Sequence, residues 1–141
     1  MSQYYEMGDR TLWNPSNGAS QLFIGQVNLY ETMLGLASGI GPVQADECRI
    51  DPTVFGAFAN ALLAWYCRTG HAVMTALSEG FVATVLVLAQ RADIEVIRRP
   101  TDLGELGDVR DVQATMAPVL GAPQAAAPRL RAHELGLAMP T

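Results

Sequence analysis

The chain of 141 residues has the length of one ordinary domain, because domains most often contain roughly 100 to 150 residues. All nine basic residues are arginine, and the fourteen acidic residues outnumber them to give a formal net charge of −5. Residues 1–97 carry four of the arginines and nine of the acids, and such a surface repels phosphate. Nucleic acid is therefore excluded as an expected partner, and a basic or mixed-charge protein is favoured.

The N-terminal residues MSQYYEMGDR lack the basic segment, apolar core and cleavage site of a secretion signal. We therefore expect a cytoplasmic protein. In that reducing compartment Cys48 and Cys67 are expected to remain thiols, with at least one of them buried.

The distribution of aromatic residues predicts where the folded part ends. All ten lie between Tyr4 and Phe81, whereas five of the eight prolines lie at or after Pro100. A core needs large apolar side chains, so we predict a globular domain over 1–97 and a Pro/Ala-rich tail over 98–141. Apolar residues at a spacing of three or four predict a short amphipathic helix over 102–116 in that tail.

The first elements are a hairpin and a helix. Apolar residues on both sides of Gly8-Asp9 predict a short β-hairpin. Ser16 or Asn17 can then cap a helix over 18–34, with Trp13 packed ahead of the cap. Its predicted buried stripe consists of Leu22, Phe23, Val27, Tyr30, Met33 and Leu34.

A strand and a second helix follow the glycine-rich loop GLASGIGPVQADE. In ECRI, Cys48 and Ile50 alternate with polar residues, as in a half-buried strand. Asp51-Pro52 is typical of an N-cap followed by proline at the first helical position. We expect the helix from Pro52 to bury one face. It should end before Gly70, and Gly70 is expected to adopt the left-handed conformation that often terminates a helix. The residues predicted on that face are Phe55, Phe58, Ala59, Leu62, Trp65 and Tyr66.

A third helix is predicted from about His71 to Ala92. Its predicted inner side contains Val73, Met74, Leu77, Phe81, Val85 and Leu88. The run FVATVLVLA over 81–89 favours burial on more than one face, and it is too short to span a membrane, for which about 20 apolar residues are needed. IEVI over 94–97 could add an edge strand. These elements predict an α+β fold, mainly helical, with three packed helices, a short N-terminal β-hairpin and one or two small strands.

The ionisable residues do not form the pattern of a known catalytic or metal site. Cys67 and His71 lie four residues apart across a helix junction, but two cysteines and a histidine are too few for a closed zinc site. A buried cysteine and a histidine near a helix start are the simpler interpretation. Glu79 is expected to face solvent. We therefore predict no catalytic residue, no metal and no cofactor.

The runs YYEMGDRTLWNPSNG, SGIGP, DECRIDP and GHAVMTALSEGFVATVLVLAQRA together resemble a family of short actinobacterial proteins known only as a domain of unknown function. The resemblance covers about residues 3–96 and implies no catalytic residue. It implies that family members end soon after the IEV segment, so that the proline-rich extension departs from them.

Two function classes remain open. The favoured one is a non-enzymatic cytoplasmic protein-binding module, such as an immunity-type or accessory factor, with self-association as a homodimer left open and no membrane as a partner. The alternative is an enzyme or small-ligand binder. Its pocket would be lined by Trp13, Asp46, Glu47, Cys48 and His71.

Overall fold

The structure is a computed structural model that describes residues 3–96 and 117–141. The described residues form an α+β fold that is mainly helical, and this confirms the predicted fold class. The elements are β1 (Tyr4–Met7), β2 (Arg10–Trp13), α1 (Asn17–Leu34), β3 (Glu47–Arg49), α2 (Pro52–Arg68), α3 (Ala72–Arg91) and α4 (Ala117–Ala138).

The small sheet is built around the predicted hairpin. Gly8 adopts a φ of 61° in the turn between β1 and β2, a conformation that glycine adopts without a steric penalty. β1 is the central strand: it pairs with β2 in antiparallel and with β3 in parallel orientation. In this register Tyr5 lies between Trp13 and Cys48, and all three are buried.

Helix α1 begins where the sequence predicts and packs through aromatic rings. The Ser16 hydroxyl accepts a hydrogen bond from the amide of Ala19 and caps the helix. Tyr30 stacks on Phe81 of α3 with ring centroids 4.3 Å apart, and its hydroxyl donates to Ser78 Oγ. The predicted stripe is correct for Phe23, Val27 and Tyr30, which are buried. It is wrong for Leu22 and Met33, which the structure leaves exposed.

Helix α2 confirms the predicted cap at Asp51, whose carboxylate accepts from the amide of Val54, with Pro52 as the first helical residue. The predicted left-handed ending at Gly70 is wrong. Thr69 ends the helix with a φ of −71°, and its amide and hydroxyl both donate to the carbonyl of Trp65. Because these bonds already close the last turn, no residue with positive φ is needed there.

The two halves of α3 lie in different environments. From Phe81 to Ala89 nearly every side chain is buried, which confirms burial on more than one face. In the first half Val73, Met74 and Leu77 are exposed, so their predicted inward orientation is wrong. In the described part of the chain, only α3 has the length and mean hydropathy of a membrane-spanning helix, and half of that apolar window is buried inside the protein. The central helix of a soluble domain shows the same pattern.

The C-terminal residues differ from the predicted tail. Residues 117–138 form α4, which packs against α3 and α2. Pro128 and Ala132 are buried, and Ala132 belongs to the main hydrophobic core. Small buried side chains let the helix lie close to α3, so its burial does not depend on aromatic residues. The helix predicted over 102–116 lies outside the described residues.

The segment after α3 is not an edge strand over its described residues, 94–96. Asp93 turns the chain with a φ of 56°, and the amide of Ile94 donates to the carbonyl of Ala89. Ile94 then packs against the core beside Gly56. This turn directs the segment along the helices instead of toward the sheet, whose edges are β2 and β3. Ile97 lies outside the described residues.

Arg91, the last residue of α3, connects three parts of the fold. Its guanidinium donates to the carbonyl of Leu12 in β2, at 2.7 Å, and to the carbonyls of Gly136 and Met139 at the end of α4, at 2.9 and 2.8 Å. A planar guanidinium suits such divergent acceptors, because its five N–H donors point in fixed directions. Arg91 therefore links the hairpin, α3 and α4 in a single hydrogen-bonded junction.

Candidate functional site

The five residues proposed for a pocket lie in different settings. Trp13 and Cys48 are buried on either side of Tyr5 in the sheet. Asp46 and Glu47 are exposed at the start of β3, and His71 is exposed at the start of α3. No hydrogen bond or ion pair joins His71 to the other four. The sheet therefore brings Trp13 and Cys48 together on either side of Tyr5, and the side chains of Asp46, Glu47 and His71 are exposed outside this buried cluster.

Trp13 has a structural environment. Its ring packs against Tyr5 and Phe23, with centroids 5.3 Å away in both cases, and only 7% of the residue is accessible to solvent. Packing of this kind between a hairpin and the first helix fixes the entry of the chain into α1.

Cys48 is held as a protonated thiol. Its side chain is fully buried, and Sγ donates to the carbonyl of Gly41 at 3.0 Å. Burial raises the pKa of the thiol to about 11, because the thiolate would lose its hydration inside the protein. A nucleophilic cysteine needs the opposite environment, in which the thiolate is exposed and its pKa is lowered.

The raised pKa values in the sheet predict a loss of stability in alkaline solution. Burial raises the pKa of Cys48 from 9.0 to about 11 and that of Tyr5 from 10.0 to about 12. Between the unfolded and folded values the unfolded chain binds fewer protons, so the free energy of unfolding falls as pH rises. We expect it to be unaffected by either group below pH 9 and to fall by about 2–3 kcal/mol per group once its folded pKa is passed.

Urea denaturation of the wild type and of Cys48→Ala at intervals from pH 8 to 12 measures this effect. The variant should be less stable than the wild type at pH 8 because it leaves a small cavity, but its stability should decline less steeply between pH 9 and 11. Equal slopes in that window would contradict the assignment to Cys48.

His71 and the nearby acids have other partners or face water. The imidazole Nδ1 of His71 accepts the amide of Met74 at 3.4 Å and so caps α3. Cys67 is buried, and neither cysteine forms a disulfide. Glu79 is partly exposed and lies 3.8 Å from Arg131 of α4, an ion pair that contributes little at such a surface. Within residues 3–96 and 117–141, no three His, Cys, Asp or Glu residues are grouped so that they could hold a metal ion.

A cavity of about 430 Å³ lies elsewhere, between α3, α4 and the segment after α3. Leu86, Ala89 and Ala132 form its buried wall, and Glu95 and Arg129 are exposed at its mouth. Arg129 donates to the carbonyl of Val96 at 3.2 Å. The five residues proposed from the sequence are absent from the lining of this cavity.

A group of exposed apolar side chains on α1 and α3 is a surface feature that the sequence did not predict. Of the ten large apolar residues exposed in the described part of the chain, seven lie on α1, just after it, or at the start of α3. We call this surface the apolar face; it consists of Leu22, Leu29, Met33, Leu36, Val73, Met74 and Leu77. Leu77 is 75% exposed and Leu22 67% exposed, so these side chains are not core residues with a small exposed edge.

The sequence holds a signal for this face. Gly25 and Gly80 lie inside helices, where glycine lowers helix stability relative to alanine, and each is exposed with no atom within 4 Å of the position of an added Cβ. Each glycine lies at helical spacing from exposed leucines, Gly25 between Leu22 and Leu29 and Gly80 after Leu77. The leucines and glycines at this spacing share one side of each helix, and the buried aromatic residues lie on a different side.

Comparison with known proteins shows the family but no characterised relative. No curated protein and no solved structure matches the chain significantly. One family matches over residues 1–141, which include the proline-rich C-terminal stretch that was expected to depart from the family. The chain therefore belongs to the family described as a family of unknown function (DUF6086).

Proposed function

We propose that this protein is a non-enzymatic protein-binding module that acts in the cytoplasm, in the manner of an immunity-type or accessory factor. The observation that carries the proposal is the apolar face on α1 and α3. Contiguous exposed apolar patches on soluble proteins commonly mark sites of interaction with other proteins, because burying them removes apolar surface from water. The acidic excess elsewhere favours a partner whose surface is basic or mixed in charge.

The settings of the ionisable residues support a role without catalysis. Nucleophilic catalysis needs an activated nucleophile with a base in hydrogen-bonding reach. Cys48 instead donates to a backbone carbonyl and has a raised pKa, and His71 accepts a backbone amide. Asp51 likewise accepts the amide of Val54. These groups stabilise the fold through their hydrogen bonds.

The alternative function, small-ligand binding or catalysis at the five predicted residues, has less support. Such a site requires several polar side chains to converge on one concave surface. Trp13 and Cys48 are buried in the sheet, whereas Asp46 and Glu47 are exposed at the start of β3 and His71 is exposed at the start of α3. A ligand that reached Trp13 and Cys48 would have to open the sheet.

Affinity capture from native lysate tests the proposal. The tagged wild type and Leu137→Glu should retain the same proteins, because Leu137 is 82% exposed on α4, away from the apolar face. Leu77→Glu places a charge on that face and should lose them at least tenfold. The proposed function is overturned if the tagged wild type, Leu137→Glu and Leu77→Glu all recover the same partners in equal amounts, or if none of them recovers any partner above background.

A further inference from the structure

We propose that the apolar face is the interface of a homodimer in which a second copy of this chain packs its α1 and α3 against the same helices of the first. This rests on the proposed protein-binding function and deepens it by naming the partner. A two-fold dimer uses the same patch on both copies, so that patch must be complementary to itself.

The exposed positions follow the spacing that pairs helices. On α1 and α3 they recur every three or four residues, which places them on one side of each helix. The stripe on α1 consists of Gly18, Leu22, Gly25, Leu29 and Met33, and that on α3 of Val73, Leu77 and Gly80. Large side chains that alternate with a glycine supply both the projections and the depressions of a helix–helix contact.

The two stripes adjoin one another. Tyr30 of α1 contacts Ser78 and Phe81 of α3. Met33 lies one turn after Tyr30 along α1, and Met74 and Leu77 lie one turn before Ser78 and Phe81 along α3. The exposed apolar positions of the two helices therefore meet beside their buried contact.

The glycines point to a close neighbour. A glycine inside a helix lowers its stability relative to alanine and is retained where a backbone must approach closely. Nothing in residues 3–96 and 117–141 approaches Gly25 or Gly80, since an added Cβ would meet no atom within 4 Å at either position. A second helix lying across these positions gives both glycines a packing role.

The low charge of the face suits contact with a second copy of this acidic chain. Two copies of a chain with net charge −5 repel each other unless the surfaces that meet are free of charge. α1 contains one charged residue, Glu31, whose carboxylate already accepts the amide of Ser38. In the first half of α3 the charged residue is Glu79, which faces Arg131 of α4. Among the described residues of this face no carboxylate is available to a basic partner, which would pair with the acidic surface elsewhere.

The face also has the size of an interface and lacks the features of a membrane-binding surface. The eighteen residues of α1 extend about 27 Å and the stripe on α3 about 12 Å, and each helix is about 10 Å wide. The projected area of about 400 Å² is about half of the roughly 800 Å² of accessible surface that each partner buries in a standard interface, and the side chains that project from the face add to it. Membrane-surface helices carry lysine or arginine along their polar side, whereas α1 carries neither.

Sedimentation equilibrium of the purified full-length protein from 1 to 200 µM tests the dimer. We expect twice the monomer mass of 15.1 kDa in the upper part of this range. Leu29→Glu and Leu77→Glu should be monomeric throughout, with the circular dichroism spectrum of the wild type. Leu137→Glu adds the same charge away from the face and should remain dimeric. A wild type that is monomeric at 200 µM overturns the proposal.

Alanine at the glycines separates the dimer from a folding defect. Gly25→Ala and Gly80→Ala should raise the helical stability of the monomer, yet weaken the dimer at least tenfold, because the added methyl separates the paired helices. Gly136→Ala, in a helix whose glycine also has open space, should leave the dissociation constant unchanged. If all three variants associate as the wild type does, the helices do not pair at these glycines and the proposed interface is wrong.

The two proposals can fail separately. If the purified protein is monomeric while capture from lysate still depends on Leu77, the homodimer fails and binding to a different protein stands. If the dimer forms through this face and lysate capture recovers only further copies of the chain, the dimer stands and the function as an accessory factor for another protein fails.

Discussion

Gly39→Ala is expected to lower the free energy of unfolding by roughly 3 kcal/mol or more, because two costs add at this position. Gly39 has a φ of 77°, which residues with a Cβ rarely adopt. An added Cβ would also lie 2.8 Å from the amide nitrogen of Phe55 and 2.9 Å from the carbonyl oxygen of Asp51. Both contacts are with backbone, so no side-chain rotation relieves them.

The loop at Gly39 cannot move away without further loss. The carbonyl of Gly39 accepts the amide of Asp51 at 2.8 Å, and Ile40 pairs with Ile50 in an isolated bridge. These bonds join the loop after α1 to the start of α2. A loop displaced by the methyl group would break them at the residue that caps α2, and loss of a cap costs about 1 kcal/mol by itself.

Gly35→Ala is the matched control. Gly35 has a similar φ of 62°, but an added Cβ there meets no atom within 4 Å. This variant should lose only the conformational part, about 1–2 kcal/mol. Urea denaturation of both variants at neutral pH measures the difference. Equal losses would show that the backbone contacts of Gly39 are not the source of its effect.

The elements predicted most accurately are those with local chemical signals. Asp51-Pro52 defines the start of α2 through hydrogen bonding and a fixed φ, and Gly8-Asp9 defines the turn of the hairpin. Alternation around Cys48 identifies β3. Each signal depends on a few consecutive residues, so tertiary packing has little scope to override it. The pairing of β3 with β1 joins residues far apart in the chain, and these local signals do not specify it.

The orientation of helix faces was predicted less well. α1 and α3 are apolar on more than one side, so a periodic pattern fits several orientations. Aromatic packing decides between them: Phe23 and Tyr30 both contact Phe81, which turns Leu22 and Leu77 outward. The apolar face could have been anticipated from Gly25 and Gly80, because these glycines lie at helical spacing from leucines and not from the aromatic core positions. The five-residue pocket required residues far apart in sequence to converge, and no local signal specifies which of them the fold brings together.

The C-terminal helix was missed because its composition is atypical of a core element. It contains three prolines after Met116 and before Arg129, and no aromatic residue. Proline inside a helix removes a hydrogen bond and disfavours helix formation. Tertiary packing outweighs that propensity here, since Pro128 and Ala132 are buried against the rest of the protein. The stability of α4 therefore depends on its contacts with α3. The hydrogen bonds of Arg91 are among these contacts, so their loss should destabilise α4.

Arg91→Met is expected to lower the free energy of unfolding by about 2–4 kcal/mol, because it leaves three carbonyl groups without their charged donor while keeping most of the aliphatic stem. Those carbonyls belong to Leu12, Gly136 and Met139. Arg91→Lys should be intermediate, since a single ammonium group cannot reach acceptors on β2 and α4 with the geometry of a guanidinium. Urea denaturation measures both losses.

Hydrogen exchange distinguishes loss of the junction from general destabilisation. In Arg91→Met the amides of α4 should exchange faster than those of the buried half of α3, because α4 loses the bonds to its last turn while α3 keeps its own helical bonds. Arg68→Met makes the same change at an exposed position at the end of α2, and should cost no more than about 1 kcal/mol from the helix dipole. If α4 keeps wild-type protection in Arg91→Met, its other contacts hold this helix and the hydrogen-bonded junction does not stabilise it.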